Sequence, residues 1–168
     1  KIYRIIGGVY LDPYTFQIVL LIILIILSGF FSASETALMA LSRIRVRHMV
    51  DEEIKGAKLL EKLLEDPNKL LGGILIGNNI VNIGASSLAS TLAFRIFGDG
   101  GVALATGVMT ILVLIFGEIT PKSLAKQNAE KVSLAVAPII NIVVTVFKPL
   151  VWLFSSVSSL IVRLLGGD

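Results

Sequence analysis

Glu118 carries a charge at the end of an apolar run, Leu112-Val113-Leu114-Ile115-Phe116-Gly117-Glu118-Ile119-Thr120-Pro121-Lys122. A carboxylate near hydrocarbon is costly, so such acids face a partner, a water-filled cavity or an ion path. Pro121 interrupts backbone hydrogen bonding three residues on, and Gly117 lets another backbone or an ion come close. Gly-Glu-x-x-Pro-Lys therefore reads as a broken helix end bearing a negative charge, which would suit half of a cation site.

Two more polar clusters lie in apolar surroundings. The first is Ser28-Gly29-Phe30-Phe31-Ser32-Ala33-Ser34-Glu35-Thr36, where Ser28 and Ser32 share a helix face and Glu35 extends the stripe. The second is Gly77-Asn78-Asn79-Ile80-Val81-Asn82-Ile83-Gly84, with Asn78 and Asn82 four apart and Asn79 and Asn82 three apart. Neutral oxygens with one or two carboxylates suit a hard cation such as Mg²⁺, Ca²⁺ or Na⁺. They do not suit zinc or copper, because the chain has no Cys and its single His48 sits in a basic flank. Helix breaks at Gly73, Gly77, Gly84 or Gly117 would add backbone carbonyls as ligands.

Each cluster also has a purely structural account. Ser and Gly spaced four apart are common where helices pack tightly, and for Ser28-Gly29-Ser32 alone packing is the simpler explanation. Three asparagines within five residues exceed what one interhelical hydrogen bond requires. Glu35 could reach the membrane edge or pair with a basic residue, and Glu118 could pair with Lys122 one turn on. A Ser–His nucleophile is disfavoured, since the one histidine lies in a charged loop, and no phosphate-cradling loop of P-loop pattern is present. The chain is therefore not expected to be an enzyme.

The elements that must position these residues are membrane helices. Of 168 residues 55% are hydrophobic, with mean hydropathy +0.88. Uncharged apolar runs cover 14–31, 70–94, 101–117 and, broken by Lys148-Pro149, 132–162. These are far longer than the strands of a membrane barrel. The first run is too long for a cleaved signal peptide and is followed by the stop-transfer flank Ser-Arg-Ile-Arg-Val-Arg. With no Cys, disulfides are excluded. The net charge of +3 is modest, and its basic residues flank apolar segments, which fits topology or anionic lipid rather than nucleic acid.

Residues 1–13 form a short amphipathic lead with Lys1, Arg4 and Asp12, and Pro13 starts the first helix. That helix is predicted to run over 14–47 without interruption. Residues 42–69 hold seven basic and six acidic residues, with leucines at helical spacing, and predict a polar helical hairpin over 51–66. Glu65-Asp66-Pro67-Asn68 signals a turn and a new helix. The second span covers 68–97, Gly98-Asp99-Gly100-Gly101 turns the chain, and the third covers 101–118. The positive-inside rule places 42–69 and the residues after 120 in the cytoplasm, with the amino terminus and the 98–101 turn outside. Residues 132–165 have two readings, a fourth span or a helix lying along the inner interface. Pro138, Lys148, Pro149, Trp152, Arg163 and the serines of 155–159 favour the interfacial one.

Phe31-Ser32-Ala33-Ser34-Glu35-Thr36-Ala37-Leu38, then Gly77-Asn78-Asn79-Ile80-Val81-Asn82, then Gly117-Glu118-Ile119-Thr120-Pro121-Lys122 together resemble the transmembrane domain of the CorC/cyclin M family. The resemblance covers nearly the whole chain, with three motifs in order. It implies an all-α membrane protein of the cell (inner or plasma) membrane. Each subunit would have three transmembrane helices, a cytoplasmic helical hairpin and a juxtamembrane belt helix, and subunits would form a homodimer. It implies Mg²⁺ transport, with export in exchange for Na⁺. The alternative within the same resemblance is a dimeric membrane anchor that senses Mg²⁺ and regulates a partner. Carried over, Ser28, Ser32, Asn82 with Asn78 or Asn79, the Gly117 carbonyl and Glu118 would surround the cation. Asp51, Glu52 and Glu53 resemble the family's acidic helix, while Glu35, Pro121 and Lys122 are, on the residues alone, candidates for a gating or structural role. Cytoplasmic CBS modules and a further domain usually follow in the family. The chain is accordingly read as the membrane domain alone, with its C-terminus on the cytoplasmic side.

Overall fold

The computed structural model describes residues 4–6, 9–11 and 13–165. The chain is helical apart from a short hairpin, in the order β1 (Arg4–Ile6), β2 (Val9–Leu11), α1 (Pro13–Ala40), α2 (Arg43–Asp51), α3 (Ala57–Leu64), α4 (Pro67–Phe97), α5 (Asp99–Leu112), a π-helical segment (Val113–Ile119), α6 (Thr120–Gln127) and α7 (Ala129–Leu164). Four stretches are long and apolar enough to cross a bilayer: Tyr14–Ala40, Pro67–Phe97, Asp99–Gln127 and Ala129–Val162. They leave large apolar side chains outward, among them Ile26, Ile83, Leu104 and Trp152. On a soluble protein so much exposed apolar surface would be a liability, whereas lipid solvates it. Helices satisfy their own backbone, which hydrocarbon demands.

In the lead before Pro13 the described residues form two short strands. β1 and β2 pair antiparallel, with Arg4 opposite Leu11, Ile5 opposite Tyr10 and Ile6 opposite Val9. Lys1 and Asp12 lie outside the described residues, as does the side chain of Arg163.

Nor does the first helix continue to Arg47. It ends at Ala40, and Ser42 takes an extended backbone as N-cap of α2. Its Oγ accepts from the Arg45 N–H at 3.2 Å. A serine cap supplies one acceptor for the otherwise orphaned N–H groups of a new helix, and here that local bond ends the long one. Asp66 does the same for α4, its Oδ1 accepting from the Lys69 N–H at 3.0 Å with Pro67 in the first position. The third apolar stretch also outruns its predicted end at 118, since it winds on through the π segment into α6.

The chain forms two compact units. The first holds residues 1–33 and 78–124. Ala85, Ala89 and Met109 are buried at its centre, with Leu21, Leu24, Ile25, Leu112 and Val113 packed on them. Gly98, at φ +71°, turns the chain between α4 and α5. A Cβ at Gly101 would fall 2.6 Å from the Ala93 carbonyl, so α5 starts hard against the end of α4.

The second unit holds residues 34–77 and 125–168. Leu60, Leu63 and Leu64 of α3 are buried, as are Val46 and Met49 of α2 and Val136, Ala137, Ile140 and Val144 of α7. The turn after α2 closes by two bonds, from the Ile54 N–H to the Met49 carbonyl and from the Glu53 N–H to the Val50 carbonyl. That is a Schellman turn, whose left-handed position is filled by Glu53 at φ +55°. Gly73 lets α4 approach α7, for a Cβ there would stand 3.1 Å from Val144 Cα. Pro138 and Pro149 are both accommodated inside the continuous α7.

Candidate cation site

Three elements of the first unit meet around Ser28. On α1, Ser28 and Ser32 are fully buried one turn apart. Ser28 Oγ donates to Asn78 Oδ1 on α4 at 3.5 Å, and Asn82 Nδ2 donates to the same oxygen at 3.4 Å. Both bonds are long and therefore weak. From the π segment, Gly117 lies so close that a Cβ on it would fall 2.6 Å from Ser28 Oγ. One residue further, Glu118 is half-buried. Ser28, Asn78, Asn82 and Gly117 are thus in one neighbourhood, with Ser32 and Glu118 adjacent to them along their helices.

Two acceptors in this group have no hydrogen-bond donor. Ser32 Oγ and Asn82 Oδ1 are buried and unsatisfied. A buried polar atom left so costs about 1–3 kcal/mol, which makes it a mark of a missing ligand or of stored strain. The oxygens brought together are the Ser28 hydroxyl and the Asn78 and Asn82 amide oxygens, with the backbone at Gly117 against them; Ser32 carries a further hydroxyl one turn along α1, and Glu118 a carboxylate one residue beyond Gly117. Such a set fits a hard cation. Among the described residues no cluster of three His, Cys, Asp or Glu side chains forms, so an ion here would rest largely on neutral oxygens.

The π segment is the feature that the spacing did not reveal. Within it the Thr120 N–H bonds to the Ile115 carbonyl, five residues back. In that winding the next donor, for the Phe116 carbonyl, would be residue 121, and proline has no N–H. The Phe116 carbonyl lies against Gly29, where a Cβ would be 2.9 Å away, and Pro121 Cγ would be 3.1 Å from the same Cβ. Gly29 therefore admits a backbone carbonyl, and its role is close packing. Short π turns recur inside α-helices at functional sites, where they re-aim side chains. The sequence signal was Pro121 counted back five residues instead of four.

Other residues singled out from the sequence fall elsewhere. Asn79 is exposed. Glu35, on α1, is half-buried and belongs to the second unit. Lys122 is half-buried on α6, next to Pro121. Gly84 faces Leu24, with 3.9 Å to a Cβ placed there, and Gly73 faces α7, so both serve helix contact. Two buried unsatisfied oxygens escaped sequence reasoning, Gln17 Oε1 on α1 and Ser133 Oγ on α7. A lone Gln or Ser in an apolar run gives no spacing signal.

The family model described as the cyclin M transmembrane N-terminal domain matches residues 19–168. A UPF0053 protein of Haemophilus influenzae is 44% identical over 154 residues, covering 92% of this chain and 37% of that protein. The UPF0053 inner membrane protein YfjD of Escherichia coli is 43% identical over 140 residues, covering 83% of this chain and 33% of that protein. A chloroplastic DUF21 domain-containing protein of Arabidopsis thaliana is 42% identical over 117 residues, or 70% of this chain and 18% of that protein. The chain thus spans about a third of the length of the bacterial relatives it matches.

Proposed function

The chain belongs to the cyclin M transmembrane-domain family and is a multi-pass membrane protein, and from that premise we propose that it carries Mg²⁺ across the membrane, exporting it in exchange for Na⁺. The observation that supports this most is the pair of buried, donorless oxygens, Ser32 Oγ and Asn82 Oδ1. They lie on the helices that carry Ser28 and Asn78, and the acid Glu118 follows Gly117, whose backbone stands against Ser28. Mg²⁺ gives up its water reluctantly, so several placed oxygens must replace the shell it loses. Ser28, Ser32, Asn78, Asn82 and the backbone at Phe116–Gly117 supply neutral ones, and Glu118 supplies the charge that draws a divalent ion. Asn79 is left outside the ligand set because it is exposed.

The topology we propose has three spans: α1, α4, and α5 with the π segment and α6. The basic α2–α3 hairpin lies in the cytoplasm and the Gly98 turn outside, by the positive-inside rule. The amino terminus is then outside and the carboxyl end cytoplasmic. We place α7 along the inner interface. Pro138 and Pro149 inside it, with Lys148 and Trp152 among its apolar residues, favour that placement over a plain span. Two subunits make the working unit, and the protein acts as a transporter rather than an enzyme.

Flux from proteoliposomes loaded with Mg²⁺ tests the reading, with and without a Na⁺ gradient. The wild type should release Mg²⁺, faster with Na⁺ outside, and Glu118→Ala and Asn82→Ala should not. Normal flux in both variants would sink the site. Saturable Mg²⁺ binding without flux would make the protein a Mg²⁺ sensor instead.

A further inference from the structure

We propose that the second unit carries a binding site for the phosphate of an anionic lipid headgroup. A groove of about 510 Å³ opens where α1 gives way to α2 and α6 gives way to α7. Arg45, Lys126 and Lys131 line it, with Gln127 and Asn128 as neutral polar neighbours, and Glu130 is the one acid in its wall. Arg45 grips that acid in bidentate fashion, Nε to Oε1 at 2.7 Å and Nη2 to Oε2 at 3.0 Å. The bond and charge of Glu130 hold Arg45 protonated above its ordinary guanidinium value. The groove therefore carries three positive charges against one negative, a net +2, and the unbalanced share lies on Lys126 and Lys131.

The surroundings favour lipid as the source of the anion. Ala40 and Leu41, at the end of the apolar α1, form part of the same wall. A ligand there meets cations on one side and apolar surface on the other, as a headgroup with its glycerol does. Basic pockets flanking membrane helices bind anionic headgroups in this manner, and each Lys or Arg contributes on the order of a five-fold factor. Scattered basic residues that only set topology need no concave site and no amides beside them. The inference does not rest on the transport reading, since none of these residues belongs to the cation site.

Lys126 and Lys131 are exposed, so replacing them leaves packing intact. The protein would be reconstituted in nanodiscs of phosphatidylcholine with a minority of phosphatidylglycerol, released, and its retained lipid read by native mass spectrometry. The wild type should keep phosphatidylglycerol in preference to phosphatidylcholine. The Lys126→Gln/Lys131→Gln double variant should keep it roughly thirty-fold less well, at an unchanged unfolding temperature. Equal retention by both proteins would overturn the proposal. A parallel titration with inorganic phosphate separates the sources: saturable phosphate binding lost in the double variant, with no lipid preference in the wild type, would overturn the lipid assignment.

Discussion

The Phe116 carbonyl occupies the space that a side chain on Gly29 would need, 2.9 Å from a Cβ built there. The neighbour is backbone, which cannot swing aside as a flexible side chain would. Gly29→Ala should therefore cost about 1–3 kcal/mol, the usual range for overpacking. Gly107, on α5, has nothing within 4 Å of such a Cβ. Gly107→Ala should be neutral or gain up to about 1 kcal/mol from helix propensity. Thermal unfolding of both variants in detergent checks the pair, and equal behaviour would mean that the π segment does not lean on Gly29.

Asn82→Leu tests whether the cation neighbourhood trades stability for binding. The substitution removes a buried oxygen with no donor, and only one long hydrogen bond is lost with it. Its unfolding temperature in a chelator should be no lower than that of the wild type, because an unsatisfied buried group costs about as much as a modest bond supplies. Added Mg²⁺ should raise the melting point of the wild type and leave the variant where it is. A variant that still responds to Mg²⁺ would take Asn82 out of the ligand set.

Glu53 sits at φ +55° in a turn position that glycine fills at no steric cost. A non-glycine residue held there gives up roughly 1–2 kcal/mol. Glu53→Gly should stabilise the protein by about 1 kcal/mol, after the flexibility that glycine adds to the unfolded chain. Denaturant unfolding followed by circular dichroism measures this. A loss of stability would mean that the Glu53 side chain makes a contact worth more than the strain.

Apolar run length and punctuation made most of the helices legible. Pro13 opens α1, Asp66-Pro67 opens α4 and Gly98 ends it, each where proline or glycine chemistry predicts. The break after Ala40 was missed because nothing forbids helix there. A single serine cap decides it, and cap and interior serine look alike in one sequence. The three-residue strands before Pro13 are too short to carry a period. The polar neighbours Ser28, Asn78, Asn82 and Gly117 were legible as types at helical spacing on three separate apolar runs. Which asparagine turns inward was not, since Asn78 and Asn79 differ by one residue and by about 100° around the helix. The π winding was hidden for a related reason: one surplus residue in a turn leaves no mark on an apolar pattern.

Pro121 makes an open acceptor beside Ser28 independent of winding. If the turn before it is π, the carbonyl deprived of its helical donor belongs to Phe116, five residues back; if it relaxed to α, it would belong to Gly117, four back. Both residues lie against the same stretch of α1, Phe116 on Gly29 and Gly117 on Ser28. The negative end of a backbone dipole at this spot is therefore written into the covalent chain. A change of register would hand it from one residue to the next without extinguishing it.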